Sequence, residues 1–343
     1  MNCLDIFCHC LPPGYENRVR KVAPKVPLMW ERASRFPVMV DLEARLALMD
    51  EFPGYRQIPS LVSPPIEILG DPRTSPDMAR AANDELAVMA QKYPDRFPGF
   101  VASLPLNNPE ASLRETERAV RELGALGVQV FTSVLGKPLD LPEFLEIFKL
   151  AAELDCAVWL HPTRTMETPD YPTEAYSKFE TWWSLGWPYE TSVAILRLVF
   201  AGVFDRNPDM KIITHHAGGM IPMMEGRIWP GLENLGSRTP PEKDEIVRTG
   251  LKENPLGALK RFYADTATFG SRSAIECGVS FFGVDRMLFA SDMPFGREGG
   301  AGQIRNALQA ISEMTLSESE KKKILSGNAE RIFKLSESPR MEN

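Results

Sequence analysis

Eight short apolar segments recur along the chain, and the stretches between them are long enough to hold helices. The segments span residues 4–9, 58–63, 99–104, 127–131, 157–161, 211–216, 262–266 and 287–292. Their interiors are mostly apolar instead of strictly alternating with polar residues, which is typical of parallel strands covered on both faces. Eight such strands with intervening helices predict an α/β fold, the (β/α)8 or TIM barrel.

Two of the intervening segments show apolar residues at helical spacing. One follows the helix-start signal at Pro142. The other is predicted to begin after Thr191 and to bury Val193, Leu196 and Phe200. Both stripes are expected to pack on the outside of the barrel.

The length of 343 residues is compatible with a single barrel that carries insertions. We predict one domain over residues 1–335 and a C-terminal tail over 336–343. Three connections are longer than simple turns and lie near 11–40, 162–190 and 229–256. Each follows a predicted strand, so all three are expected on the face of the barrel that carries active sites.

Composition argues against nucleic-acid-binding, membrane-spanning and disulfide-bonded classes of protein. The net charge is −7, which argues against nonspecific binding to nucleic acid, and no apolar run approaches the length that spans a membrane. The five cysteines are odd in number and lie mostly in predicted strands, which suits reduced thiols. We therefore expect a cytoplasmic protein without nucleic-acid or membrane partners.

All four histidines of the chain lie at or beside the C-terminal ends of predicted strands: His9, His161, His215 and His216. Asp292 ends the eighth strand in the same way. The C-terminal strand ends of such a barrel converge on one face, where catalytic residues lie. Histidine binds metals and carries protons near neutral pH, and a buried carboxylate needs a partner. These positions predict an enzyme.

Side chains on a strand alternate between its two faces. Phe7 and His9 therefore share the face toward the barrel mouth, and Cys8 and Cys10 share the other. A zinc site on the two cysteines is a weaker alternative, because the chain has no second cysteine pair.

Three motifs carry a resemblance to a known family. The run from His216 to Ile228 reads His-Ala-Gly-Gly-Met-Ile-Pro-Met-Met-Glu-Gly-Arg-Ile, and Ser291–Pro294 reads Ser-Asp-Met-Pro. His161-Pro162 ends the fifth strand. With these motifs the chain resembles the amidohydrolase-related family, in the branch of the aminocarboxymuconate-semialdehyde and γ-resorcylate decarboxylases. The resemblance extends from Leu4 to about Lys334.

The resemblance implies roles for the residues at the strand ends. His9, His161 and Asp292 are expected to bind a divalent metal, zinc or manganese. His216 is expected beside the metal as the acid–base residue, with Asp292 as the other candidate proton donor. The signature register selects His216 over His215, which is expected to point toward the helix layer.

Phe7 departs from the family pattern, which places histidine or glutamate at that first metal-binding position. Phenylalanine cannot coordinate a metal. The metal is then held by three side chains plus waters, or is bound more weakly, or has been lost. Three protein ligands are sufficient for a catalytic zinc site.

The resemblance implies a metal-dependent, non-oxidative decarboxylase of a small aromatic or unsaturated carboxylic acid, assembled as a homodimer or homotetramer. Phe7, Arg164 and Trp187 are the expected substrate-binding residues. A metal-dependent hydrolase or hydratase of the same superfamily is the alternative within enzymes. A catalytically silent binding protein is the alternative outside them.

Overall fold

Eight parallel strands form the centre of the computed structural model, which describes residues 2–23, 25–252 and 254–335. The predicted tail over 336–343 lies outside the described residues. The strands, in order, are Cys3–Cys10, Tyr55–Leu61, Val101–Ser103, Gly127–Phe131, Ala157–His161, Lys211–Thr214, Tyr263–Asp265 and Met287–Leu288. A short antiparallel hairpin, Ser133–Val134 with Lys137–Pro138, follows the fourth strand.

Parallel pairing follows chain order around the barrel. The first strand pairs with the second, and the third through eighth pair in sequence. Backbone hydrogen bonds join the remaining edges. The Ile6 N–H donates to the Phe289 carbonyl at 3.0 Å, and the Asp292 N–H donates to the Phe7 carbonyl at 3.0 Å. On the other side, the Gln57 N–H donates to the Arg96 carbonyl at 2.9 Å. The predicted (β/α)8 barrel is confirmed.

Helices surround the strands, and the longer ones connect one strand to the next. None of the described helices combines the length and the apolar character that crossing a membrane requires. The α-helices are Pro13–Val22, Leu28–Ala33, Pro37–Val40, Leu42–Asp50, Ile66–Leu69, Ser75–Lys92, Pro109–Arg121, Pro142–Glu153, Thr181–Ser184, Gly186–Phe200, Val203–Arg206, Glu225–Glu233, Pro255–Leu259, Arg272–Phe282, Ala301–Ser312, Glu318–Lys322 and Asn328–Ile332, with a π-helical turn at Lys323–Gly327.

Two of the three long connections reach the mouth of the barrel, and the third does not. Residues 11–40 and 162–190 contribute side chains to the cavity described below. In the segment 229–256, Ile246 and Val247 instead lie across a groove from Arg197, on the outer side of the barrel. The expectation that this third connection lies on the catalytic face is wrong. This part of the segment lies beside the outer helices, where Ile246 remains largely exposed.

From Phe7 to Cys10 the first strand shows the predicted alternation of its side chains, after an irregularity of register between Asp5 and Cys8. Phe7 packs with the residues of the barrel interior, whereas Cys8 and Cys10 pack in the layer between strands and helices. The Cys8 thiol lies 3.5 Å from the Ile58 carbonyl oxygen, and both thiols face away from the barrel mouth. The two cysteines therefore cannot join the histidines, and no group of described residues that could hold a metal includes either cysteine, so the alternative zinc site on them is not supported.

Candidate active site

Four histidines and one aspartate meet at the C-terminal mouth of the barrel. The rings of His9 and His161 lie 5.3 Å apart, and those of His161 and His215 lie 5.1 Å apart. The potential ligand atoms of His9, His161 and His215 lie within 4.8 Å of one another, as do those of His215, His216 and Asp292. The four strand ends identified in the sequence thus converge on one point.

Asp292 is the centre of this group. Its Oδ1 lies 3.0 Å from His9 Nε2 and 3.4 Å from His215 Nε2, and its Oδ2 lies 3.7 Å from His216 Nε2. Burial alone would raise the pKa of Asp292, but the three histidines hold it well below the ordinary value of 3.8. Asp292 is therefore a carboxylate that accepts hydrogen bonds or binds a cation.

Hydrogen bonds orient two of the histidines. His161 ends its strand, and its Nδ1 lies 2.7 Å from the Pro162 carbonyl oxygen, which can only accept. The proton is thus on Nδ1, and the lone pair of Nε2 is left for a ligand. His9 Nδ1 lies 3.3 Å from the Ser60 hydroxyl. Burial and the neighbouring His215 and His9 lower the pKa of His161 well below 6.5, so its ring is neutral.

His215 lies inside the site, so the expectation that it points toward the helix layer is wrong. It is fully buried, its Nδ1 is hydrogen-bonded to Asp265, and its ring stacks on Phe7 with centroids 3.9 Å apart. Strand alternation explains this position, because Ile213 faces the barrel interior and so must the residue two positions later.

A turn of the backbone, instead of strand alternation, places His216 in the site. Its backbone and that of Ala217 adopt left-handed conformations, each with φ of 55°, so the chain leaves strand geometry at this point. The turn folds the His216 ring back onto His215, with centroids 3.8 Å apart. Two adjacent residues can thus both face the site, which regular alternation forbids.

Two glycines allow the turn after His216 to pack tightly. Gly218 and Gly219 have φ of 82° and 64°, values that favour glycine. A Cβ on Gly219 would lie 2.5 Å from the Pro188 carbonyl oxygen. This close approach places the neighbouring Trp187 near the histidines, with its ring centroid 5.4 Å from that of His161.

The electrostatic environment of His215 favours positive charge. Burial alone would lower its pKa, but the carboxylates of Asp265 and Asp292 outweigh burial and raise the pKa to about 9. The same two carboxylates favour any cation at the free edge of the ring. By contrast, burial and the neighbouring His215 lower the pKa of His216 from 6.5.

A cavity of about 380 Å³ opens above these residues, a volume suited to a small molecule. Trp187 lies in its wall, as the sequence predicted. The lining residues are His9, Met29, Arg32, Ser63, His161, Glu180, Trp182, Trp183, Trp187, Phe269, Asp292, Phe295 and Gly296. The cavity therefore combines an aromatic wall with an imidazole and carboxylate floor.

The other expected substrate-binding residues lie elsewhere. Phe7 is fully buried beneath His215 and does not line the cavity, because its neighbours on the strand hold it in the barrel interior. Arg164 donates to Glu190 at 2.8 Å and lines a separate cavity, although its carbonyl accepts a hydrogen bond from the Trp187 indole at 3.2 Å. Neither side chain is placed to contact a substrate in this cavity.

Three residues of the site were missed in the sequence. Asp265 ends the seventh strand and orients His215. Arg32 carries a permanent positive charge into the cavity wall from the segment 11–40, whose several arginines after the first strand were an available signal. Asp5 is buried and accepts hydrogen bonds from Tyr55 and Ser291, which ties the first strand to the eighth.

A family model described as amidohydrolase matches residues 6–335. The chain belongs to the amidohydrolase family. Among amidohydrolase relatives, the γ-resorcylate decarboxylase of Polaromonas sp. is 34% identical over 307 residues, which are 85% of this chain and 87% of that protein. The 2-amino-3-carboxymuconate-6-semialdehyde decarboxylase of Dictyostelium discoideum is 31% identical over 75% of this chain and 67% of its own length. The resemblance predicted from the motifs is confirmed.

A solved structure supports the same assignment. The 5-carboxyvanillate decarboxylase of Novosphingobium aromaticivorans, complexed with manganese and 4-hydroxy-3-methoxy-5-nitrobenzoic acid, aligns with a TM-score of 0.81. The alignment covers 97% of this chain and 96% of that one at 27% identity.

Proposed function

We propose that this protein is a metal-dependent, non-oxidative decarboxylase of a small aromatic or unsaturated carboxylic acid. The observation that carries the proposal is that His9, His161 and Asp292 line the floor of one aromatic-walled cavity, with His9 Nε2 3.0 Å from Asp292 Oδ1. The activities named for the relatives support the same reaction.

The residues present fit a divalent metal. The buried Nε2 of His215 has no hydrogen-bond partner among the described residues, and it faces a carboxylate. Imidazole nitrogens with one carboxylate suit zinc and manganese, and manganese is present in the related 5-carboxyvanillate decarboxylase. We propose that His9, His161 and Asp292 hold the metal. Bound there, the ion would supply Lewis acidity toward the carboxylate and a neighbouring oxygen of the substrate.

Decarboxylation requires a proton at the carbon that bears the carboxylate. When this proton is added, the carbon–carbon bond to the carboxylate breaks, its electrons restore the conjugated system, and CO2 leaves. His216 is the proposed proton carrier. Its side chain is 14% exposed, against 1% for His9 and 0% for His215, so it can exchange protons with solvent. Asp292 is a poor donor because its carboxyl group is ionised.

The cavity wall determines which substrate shapes can bind. Trp182, Trp183 and Trp187 form an aromatic side on which a flat ring can pack. Among the described lining residues, Arg32 carries a permanent positive charge, which suits an anionic substrate. The aromatic rings also exclude water, which the reaction does not consume.

We further propose that residues 1–335 form one domain that assembles as a homodimer or homotetramer in the cytoplasm. Apolar side chains of the segment 162–190 are unusually exposed, above all Phe179 at 94%, and such patches are typical of subunit contacts. All five cysteines are unpaired, as expected in a reducing compartment.

Sedimentation of the wild type and of Phe179→Asp tests the assembly. A smaller species is expected for the variant, and a monomeric wild type would contradict the proposed oligomer.

The proposed reaction is tested with a panel of hydroxybenzoates and unsaturated acids in the presence of Mn²⁺ or Zn²⁺. We expect at least one acid to release CO2 in a metal-dependent manner. A panel of amides and esters serves as the comparison, because hydrolysis of these without CO2 release would favour the hydrolase alternative.

A further inference from the structure

One ring nitrogen of His215 makes no hydrogen bond with any described residue. Its Nε2 is completely buried and lacks a hydrogen-bond partner, although burying a polar atom without a partner is unfavourable. This nitrogen lies 3.4 Å from Asp292 Oδ1. One potential ligand atom of His215 also lies within 4.8 Å of those of His9 and His161. The unpartnered atom is therefore aimed at the proposed metal position.

The opposite edge of the same ring is firmly held. His215 Nδ1 is hydrogen-bonded to Asp265, which is itself fully buried. The other oxygen of Asp265 accepts hydrogen bonds from the backbone N–H groups of Ala217 at 3.2 Å and Ala267 at 3.0 Å. A carboxylate that fixes one imidazole nitrogen while the other is left free is the usual support of a metal-binding histidine.

Phe7 explains why a ligand from the sixth strand is needed. Its ring stacks on His215 with centroids 3.9 Å apart and an angle of 20° between planes. The Phe7 ring lies beside the site and offers no ligand atom. It packs against one face of the His215 imidazole. The first strand consequently contributes His9 alone.

The separations of Asp292 Oδ1 from His9 and His215 are compatible with ligands around one ion. Two atoms bound at about 2.1 Å in tetrahedral geometry lie about 3.4 Å apart. Asp292 Oδ1 lies 3.0 Å from His9 Nε2 and 3.4 Å from His215 Nε2.

We propose that His215 is a metal ligand that replaces the one lost at Phe7, and that Asp265 is the positioning residue that orients it. The inference rests on the proposed metal dependence and completes the ligand set as His9, His161, His215 and Asp292. It leaves His216 outside the coordination shell. His216 faces the other oxygen of Asp292 at 3.7 Å, and its Nδ1 has no partner among the described residues, so no carboxylate orients it as Asp265 orients His215.

The small number of histidines makes a direct test possible. Wild-type protein labelled with ¹⁵N-histidine and loaded with ¹¹³Cd²⁺ should show cadmium–nitrogen coupling for three of the four imidazoles. The His216→Gln variant should retain all three couplings. Coupling to two imidazoles in the wild type, or the loss of one in His216→Gln, overturns the inference while leaving metal binding intact. Absence of cadmium binding overturns both the inference and the proposed metal dependence.

Affinity measurements add a readout that does not depend on turnover. We expect His215→Gln to weaken Mn²⁺ and Zn²⁺ binding by more than about 100-fold in a chelator competition, and Asp265→Asn to weaken it by about 10- to 100-fold. His216→Gln is the matched control, since it changes an adjacent histidine of the same site, and its affinity should stay near that of the wild type. Thermal unfolding of each metal-free variant identifies any that fails to fold. If His215→Gln is lost in this way, folded Asp265→Asn decides the question, and wild-type affinity in it overturns the inference.

Discussion

His215 and His216 are adjacent in the chain and stacked in space, yet their surroundings give them different chemistry. His215 is fully buried and fixed between Asp265 and Asp292, whereas His216 is partly exposed and meets Asp292 alone. A buried, oriented nitrogen suits a ligand, and an exposed one suits a group that exchanges protons. We therefore assign metal binding to His215 and proton transfer to His216.

Replacing His216 with Asn should remove the proton carrier and leave the metal in place. We expect kcat to fall by about 10²- to 10⁴-fold, the usual contribution of a general acid or base. Metal content and thermal stability should stay near wild type. Steady-state kinetics with metal analysis of the same sample checks this. A variant that keeps wild-type kcat would remove His216 from the proposed chemistry.

At the residue scale, the sequence predicted the location of the site better than the orientation of its individual side chains. His9, His161 and Asp292 were found because they end apolar strands. Alternation alone would have placed His215 inside, but the signature register assigned that place to His216. Both are inside because φ turns positive at His216, a backbone change that side-chain periodicity cannot reveal.

At the scale of elements, the aromatic segment after the fifth strand decides which molecules fit. Helix Thr181–Ser184 and the first turn of Gly186–Phe200 bring Trp182 and Trp187 over the histidines. The wall is thus built by an insertion, and the metal position by the strands. Substrate preference can therefore vary without disturbing the floor of the cavity.

Trp182→Ala should weaken substrate binding with little effect on folding, because the side chain is only partly buried. Loss of one aromatic contact of about 1.4 kcal/mol corresponds to an approximately tenfold increase in KM. Tyr189→Ala is the matched control, since this aromatic residue of the same segment is 53% exposed and does not line the cavity. Equal changes in KM for both variants would contradict the assigned wall.

Apolar periodicity in the sequence predicted the strands correctly, but it predicted the buried face of one helix incorrectly. All eight strands were predicted, because buried parallel strands are short apolar runs between polar segments. The helix Pro142–Glu153 buries Phe144 as expected. The next one begins at Gly186 instead of Thr191, and it buries Ile195 and Leu198, while Val193 and Leu196 are only partly buried. That helix is apolar on more than one face, so spacing could not select the inner one.

At the scale of the whole molecule, one buried group links stability to pH. Glu67 is buried and neither of its carboxylate oxygens has a hydrogen-bond partner among the described residues. Burial raises the pKa of Glu67 from 4.5 to about 8. Between these values the folded protein holds a proton that the unfolded chain releases. The contribution of Glu67 to the free energy of unfolding is therefore greatest at low pH and is lost as pH rises toward 8.

Glu67→Gln should remove this dependence. Relative to wild type, the variant should gain up to about 1.4 kcal/mol in the free energy of unfolding for each pH unit across that window. Urea denaturation of both proteins at several pH values between about 5 and 8 measures the difference. A difference that stays constant with pH would show that Glu67 is ionised in the folded protein.

The barrel as a whole explains why distant residues of the chain form one site. Parallel strands in chain order bring the ends of the first, fifth, sixth and eighth strands to one mouth, so residues separated by up to 283 positions meet. This convergence follows from the fold class and could be predicted. The positions of Arg32 and Arg164 could not, because loops place side chains through contacts that strand periodicity does not encode.

Metal-dependent decarboxylation can be measured by following the carboxyl carbon of the substrate. Metal-depleted protein is mixed, in H2¹⁸O, with the acid of the test panel from which CO2 is released fastest, labelled with ¹³C in the carboxyl group, before and after addition of Mn²⁺. We expect release of ¹³CO2 only after Mn²⁺ is added, with one equivalent of the decarboxylated product formed and no ¹⁸O in that product. Release of ¹³CO2 at the same rate without metal, or ¹⁸O in the decarboxylated product, would contradict this expectation.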